Sequence, residues 1–407
     1  MEDALLKKRR IFIGMMAGMG RVNRCLPIAL KLREMGHEVA FTIWGNAGAS
    51  MQRMGFTFIP IPEIPAPRGV VFHPNFTDLN HFLSMMGYSD PDYMRNELEA
   101  RLRVTASFKP DLVISDSSVP AAFIARKLGI PLVSINQSST LPGGMPFASK
   151  DGSIGDVPDV TGVLNGVLDD YGLQRADHLL SFLAGDLALL PSIPKFDPVD
   201  LDEVSIPVEY VGPVVWKDTN EMGMPANWLT KSSADRLPRV FVYTSRLVEW
   251  GVESGSHIFR EAVKALGDTS TELLIATGFN PLEGDKIQVP PNVHFTSYVS
   301  GVLAAEYSDV MIHHGGHGSC MTTILTGTPS LTIPTWAERE FNARRLQEVG
   351  GGRVMPPEEV TGSALAETVR AMMTNGDMDK ASALKESVFA THLGGAERAA
   401  ELIRQLL

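Results

Sequence analysis

Two cysteines in 407 residues, Cys25 and Cys320, are too few for a disulfide framework and point to a reducing compartment, so a cytoplasmic location is expected. No stretch approaches the ~20 apolar residues of a membrane-spanning helix. Net charge is −11 and no long basic run occurs. A nucleic-acid binder needs clustered Lys and Arg against the phosphates, so nucleic acid is not expected as the main partner. A Walker-type Gly-Lys-Ser/Thr is also lacking, which argues against a P-loop kinase or ATPase. Lys7-Lys8-Arg9-Arg10 before Ile11–Met16 has the look of a signal-peptide start. That apolar run is short, however, and Arg21, Asn23 and Arg24 follow with no small-residue cleavage pattern, so a first β-strand is expected there.

Hydrophobic residues make up 44% and charged residues 20% of the chain, the balance of a globular protein. The length is too great for one ordinary core and predicts two domains of roughly 200 residues each. Strand signals fall at 11–16, 39–43, 111–116, 131–135, 187–190 and 208–211. Helical spacing falls at 25–35, 97–108, 119–127 and 161–185. Residues 214–238, rich in Lys, Asp, Asn and Pro, read as an interdomain linker. The pattern then restarts, with strands at 240–244, 273–276, 293–296, 310–312 and 331–333. Helices are expected at 257–266, 319–326, 339–348, 362–374 and 396–407. The expected fold is α/β, two Rossmann-like doubly wound parallel-sheet domains facing a central cleft. The expected bounds are 1–213, a linker at 214–238, 239–390, and a final helix in 391–407.

Residues 308–345 carry the densest chemistry. A strand to Ile312 runs into His313-His314-Gly315-Gly316-His317-Gly318-Ser319, and a helix starts at about Ser319. Glycines let backbone approach a ligand, and free amides at a helix start favour an anion. With His314, His317 and Ser319 beside them, a phosphate-binding turn is the sharp reading; a turn that binds nothing is the plain one. A metal on His313, His314 and His317 is disfavoured, because neighbouring strand residues point to opposite faces and no carboxylate cluster lies near, so no metal or other cofactor is expected. Tyr243-Thr244-Ser245-Arg246 at a strand end offers two hydroxyls and a guanidinium for phosphate, or an ordinary ion pair of Arg246 with Glu249 or Glu253. Tyr298 can stack on a base or simply pack. Asp116 ends a strand where ligands of open α/β sheets sit, or caps a helix. The proline-broken stretch 60–80, with His73, Phe76 and His81, and the loop with Met145 and Phe147 read as pocket walls or as solvated excursions.

These residues match a known pattern. Gly20-Arg-Val-Asn23, Gly36-His-Glu-Val39, Asp111-Leu-Val-Ile-Ser-Asp116, Tyr210-Val-Gly-Pro213 and Pro291-Asn-Val293 recur in order. The run His313–Ser319 continues through Thr326-Gly-Thr-Pro329 to Phe341-Asn-Ala-Arg-Arg345. In these the chain resembles the family 1 nucleotide-sugar glycosyltransferases of the GT-B fold, bacterial natural-product and macrolide types among them. The resemblance implies an inverting hexosyltransferase using a UDP- or dTDP-sugar and a hydrophobic small-molecule acceptor, with homodimerisation left open. It implies diphosphate contacts from His314, Gly316, Gly318 and Ser319, with Ser245 and Arg246 beside them. It places Tyr298 and Val299 at the base; the acceptor pocket is expected on the two pocket-wall stretches, around His73, Phe76, His81, Met145 and Phe147.

The departures are equally specific. The family's histidine base falls at Arg21, which stays protonated and cannot take a proton. Asp116 matches the carboxylate behind that histidine; it is expected to pair with Arg21, act as base itself, or lose its usual task. The ribose-binding Glu falls at Thr322, and the sugar-gripping Asp-Gln at Glu338-Arg339. Two alternatives follow: a non-catalytic nucleotide-sugar binder or helper subunit, and a GT-B nucleotide-sugar epimerase.

Overall fold

The alternating pattern resolves into two parallel sheets in a computed structural model that describes residues 7–16, 18–42, 47–70, 76–145, 147, 157–218, 222–229, 236–245, 253–278 and 289–407. His73 and Arg246 lie outside the described residues. The chain divides into two units, Met1–Val214 with Leu393–Leu407, and Val215–His392.

The first unit holds β1 (Arg10–Met15), β2 (Glu38–Thr42), β3 (Thr57–Phe58), β4 (Leu112–Asp116), β5 (Leu132–Ile135), β6 (Leu187–Leu190) and β7 (Val208–Tyr210). Their order is β3-β2-β1-β4-β5-β6-β7, all parallel. β4 and β5 are buried throughout, as a sheet covered on both faces requires. In the second unit β8 (Arg239–Tyr243), β9 (Glu272–Ala276), β10 (Val293–Thr296), β11 (Val310–His313), β12 (Ser330–Thr332) and β13 (Gly352–Val354) run in the order β10-β9-β8-β11-β12-β13. Each sheet reverses its strand order once, between β1 and β4 and between β8 and β11. β3 and β13, two and three residues long, are too short to show a period in the sequence.

Several expectations change. The first helix starts at Met19, not near Cys25, and runs through Pro27 to Glu34. Residues 19–24 are too polar to show apolar spacing, so the start was hidden. The expected helix 161–185 is two, Val160–Asp170 and Leu179–Ala184. Gly172 at φ +63° ends the first, and Asn165 binds both backbone groups of Ala176 at 2.9 and 2.7 Å to fold the chain back. Asp90 caps the helix Pro91–Ala106, which begins six residues before the expected start.

The stretch 214–238, read as a linker, is partly core of the second unit. Trp228 is fully buried with Phe241, Leu274 and Met311, and its carbonyl accepts from Arg239 at 3.0 Å. The final helix, Gly395–Arg404, belongs to the first unit and packs on the helix Met19–Glu34. Gly395 N–H donates to the Val211 carbonyl at 2.7 Å, which fixes its entry. Trp228→Ala is expected to cost the second unit about 3–5 kcal/mol, the usual loss for emptying a buried tryptophan site. Denaturant unfolding of the variant beside the unaltered protein measures it.

Candidate functional site

Where strand order reverses in a parallel sheet, the flanking connections leave on opposite faces and uncover the strand ends. In the first unit this point lies at the ends of β1 and β4. Asp116, the last residue of β4, is paired in register with Met15 and has no solvent exposure. Arg24 holds it with two parallel bonds, Nε to Oδ2 at 2.5 Å and Nη2 to Oδ1 at 2.6 Å. Arg21 stands one turn earlier on the same helix face, its Nε 3.4 Å from Oδ1. So Asp116 does meet Arg21, but its bidentate partner is Arg24, a residue to which the sequence assigned no role. Cys25 lies 3.6 Å from Oδ2, and burial, then Asp116, pushes its thiol pKa well up, so it stays protonated. Ser117 follows at φ +53°, a left-handed conformation uncommon outside glycine, and Ser118 caps the next helix, Val119–Leu128. The capping role considered for Asp116 thus falls on Ser118, which leaves Asp116 to the arginines.

In the second unit the reversal exposes the ends of β8 and β11. Ser245, two residues past β8, also has a left-handed backbone, φ +70°. β11 ends at His313, and the helix His317–Thr326 begins straight after Gly316 with no side-chain cap. Its ten residues leave an N-terminal amide cluster at the sheet edge. Two glycines are needed here. Gly315 has φ +86°, and a Cβ on it would come 2.5 Å from the Arg339 carbonyl oxygen. A Cβ on Gly316 would come 2.6 Å from His314 Nε2, so the imidazole lies against the helix start.

Both histidines are buried. His313 Nδ1 accepts the Gly315 N–H at 3.0 Å, and burial holds the ring pKa down to about 3. His314 is pushed well below its usual range by burial, then by the Arg339 charge and His313, against a hydrogen bond with the Tyr243 main chain. Among the described residues its Nδ1 has no hydrogen-bond partner. The edge of Tyr243 meets the His314 ring at 5.9 Å. Ser319 and His317 are buried beside them. Among the described residues no three His, Cys, Asp or Glu converge as metal ligands do.

The remaining candidates fall around this edge or apart from it. Thr322 donates to the Gly318 carbonyl at 2.9 Å, four residues back in its own helix. Glu338 accepts from Asn342 Nδ2 at 2.8 Å. Arg339 is buried, lies 4.3 Å over the Trp336 ring and donates to Thr335. Tyr298 donates its hydroxyl to Asp218 at 2.7 Å, and burial with that carboxylate raises its pKa. Val299 beside it is buried. In the first unit Phe76 and Phe147 meet edge to face at 5.5 Å, with Phe82 beside Phe76 at 5.2 Å. His81 is buried and accepts the Thr77 N–H at 3.4 Å, while Met145 is 44% exposed.

Sequence reasoning missed the polar group after β5. Asn136, Gln137, Ser138 and Ser139 are all buried there, and among the described residues the Ser138 and Ser139 hydroxyls have no hydrogen-bond partner. Four polar residues directly after an apolar strand was the available signal.

Two measurements test these geometries. Removing one partner of a buried ion pair costs about 3–5 kcal/mol, so Arg24→Met is expected to lower stability by that order, and Arg24→Met/Asp116→Leu to restore most of it. The histidine pair predicts a pH dependence. Unfolded, these rings take up protons near pH 6.5; folded, His313 does so only near 3. Their stabilisation is therefore full above pH 6.5 and is lost as pH falls toward 3. His313 alone gives a slope of up to about 1.4 kcal/mol per pH unit in that window. Urea midpoints at pH 7, 6 and 5 are expected to fall, and to fall less steeply in His313→Asn.

Comparison with known proteins agrees with this architecture. Residues 260–401 match the family model for the erythromycin biosynthesis protein CIII-like C-terminal domain. A PGL/p-HBAD biosynthesis rhamnosyltransferase of Mycobacterium bovis is 24% identical over 413 aligned residues, covering 95% of this chain and 85% of that protein. The solved structure of the kitacinnamycin glycotransferase superimposes with a TM-score of 0.74 at 19% identity, covering 99% of this chain and 100% of that one. The glycosyltransferase VinC, solved in complex with DTDP, gives 0.71 at 17% identity over 98% and 99% of the two chains. The chain thus has the two-domain GT-B fold of these structures, and in residues 260–401 and along its length it is similar to glycosyltransferases of the natural-product type.

Proposed function

We propose that the protein transfers a sugar from a nucleoside diphosphate to a small-molecule acceptor, inverting the anomeric carbon by a single in-line displacement. One observation carries the donor assignment: the buried, neutral imidazole of His314 lies against an uncapped helix start at the reversal point of the second sheet. A neutral imidazole carries one N–H donor. With the helix amides and the Ser319 hydroxyl it would meet the charge that grows on the departing diphosphate, and fixed donors of this kind lower the barrier most. Gly316 and Gly318 keep backbone accessible there. Ser245 would add a hydroxyl; Arg246 remains a candidate from sequence.

The rest of the donor follows by position. Tyr298, its hydroxyl tied to Asp218, would offer its ring to the base, and the Val299 main chain would read the base edge. Glu338 and Arg339 would grip the sugar. Thr322, whose hydroxyl already serves the Gly318 carbonyl, would bind ribose less firmly than a carboxylate does, which favours neither UDP nor dTDP. The aromatic pair Phe76 and Phe147, with His81 and Met145 on the same stretches, would receive the acceptor's apolar body.

A second reading has its own observation. Asp116, the residue that would support a base, is locked by Arg24 and has no solvent exposure. A protein that binds nucleotide sugars without turning them over would tolerate that. Thermal-shift ranking of UDP, dTDP and GDP, followed by an acceptor panel, separates the two. Saturating ligand at 100 times its Kd stabilises by about 2.7 kcal/mol. Nucleotide binding with no transfer to any acceptor would favour the second reading. His314→Ala is expected to weaken nucleoside diphosphate binding by about 10- to 150-fold, the loss of one hydrogen bond to a charged group. Calorimetric titration reads this directly, and unchanged affinity would remove His314 from the site.

A further inference from the structure

The first unit's reversal point has an electrostatic character that selects its ligand. Two guanidiniums, Arg21 and Arg24, surround one carboxylate, Asp116, at the start of the helix Met19–Glu34. The positive end of a helix disfavours a cation in its first turn, where Arg21 stands, and this helix has no acidic residue there. The arrangement thus stands against the usual charge preference of a helix start. Arginine does not lose its proton at any pH a protein survives. Neither guanidinium can therefore accept one.

Asp116 is no better placed as a base. Both of its oxygens are engaged by Arg24, and its side chain is fully buried. Arg21 and Cys25 crowd the same two oxygens, and with no solvent exposure this carboxylate is not reached by an incoming hydroxyl. Cys25 is held as the neutral thiol by burial. The cluster therefore gathers charge but does not move protons. Its members differ in access: side-chain exposure is 23% for Arg21, 8% for Arg24 and 0% for Asp116. Beside Arg21 the helix surface is open, since a Cβ on Gly20 would meet nothing within 4 Å. Arg21 is the member that a small molecule can reach, and its planar fork matches a carboxylate.

We propose that the acceptor is a carboxylic acid, bound as its carboxylate by Arg21, and that the product is a glycosyl ester. The inference rests on the proposed function and deepens it. The nucleophile arrives already deprotonated, so no general base is needed. One carboxylate oxygen forms the bond to the anomeric carbon as the bond from that carbon to the diphosphate oxygen breaks. The electron pair leaves with the nucleoside diphosphate, and the acceptor's negative charge is carried off on it. No proton is taken up or released in the transfer.

The test uses three acceptors with one aromatic body: 2-naphthoic acid, 2-naphthol and 2-naphthylmethanol. Binding to the full-length protein is measured first by calorimetry. 2-Naphthoate is expected to bind at least tenfold more tightly than 2-naphthylmethanol. Arg21→Gln is expected to remove that preference, and Arg21→Lys to restore part of it, with the nucleoside diphosphate affinity of all three proteins equal. Transfer is then assayed with UDP- and dTDP-sugars, where kcat/KM for the acid is expected to exceed that for the alcohol by at least 100-fold. The acid's product should be cleaved by neutral hydroxylamine, which attacks esters and spares ether-type glycosides. Equal binding of acid and alcohol, a preference that survives Arg21→Gln, or a hydroxylamine-resistant product would overturn the assignment while nucleotide binding persists. Loss of nucleotide binding in the unaltered protein would instead defeat the transferase reading beneath it.

Discussion

A parallel sheet whose strand order reverses cannot cover its own carboxyl edge at the reversal, because the connections on either side depart on opposite faces. The functional chemistry of both units follows from that constraint. In the first unit it leaves the end of β4 open to the helix after β1, so that Asp116 and the two arginines meet. In the second it leaves the end of β11 beside β8, so that His314 meets Tyr243 and the helix start. In both, a non-glycine residue just past a strand bordering the reversal, Ser117 or Ser245, holds a left-handed backbone. Such conformations cost energy and gather where a sheet edge is shaped for a ligand.

The two edges treat charge differently. At the second, burial keeps His313 and His314 neutral, and the helix amides supply partial positive charge without an ion. Such an edge can meet a diphosphate whose charge grows during reaction. At the first, charge is permanent: an arginine-clamped aspartate and a second guanidinium that nothing near neutral pH will discharge. Permanent positive charge suits an anion that arrives as an anion. The division into a neutral, donor-rich edge and a fixed cationic edge is what links the donor assignment to the acid acceptor.

Much of this was legible in order along the chain. The buried parallel strands β1, β4, β5 and β11 are built on short apolar runs such as Ile11–Ile13, Leu112–Ile114 and Val310–Ile312, and the glycine turn 315–318 names its own backbone need. What was not legible has physical reasons. The helix from Met19 was hidden because its first turns carry Gly20, Arg21, Asn23 and Arg24, and Arg21 and Arg24 face Asp116 and so break the apolar period. Trp228 sat in a polar stretch that looked like a linker, because one large side chain filling a core hole leaves no periodic trace. The break at Gly172 depends on Asn165 reaching back to Ala176, a contact that composition cannot show.

The sequence by itself determined the parallel α/β class, the placing of His314 and Ser319 at a glycine turn after a strand, and at position 21 an arginine, which cannot accept a proton. Each is a property of residue type and local spacing, which the chain carries before it folds. Only the tertiary structure decided that Arg24, ninety-two positions away, takes both oxygens of Asp116, and that Arg339 presses its charge toward His314. Pairings across such separations are set by strand order and helix register, and those arise when the sheet assembles.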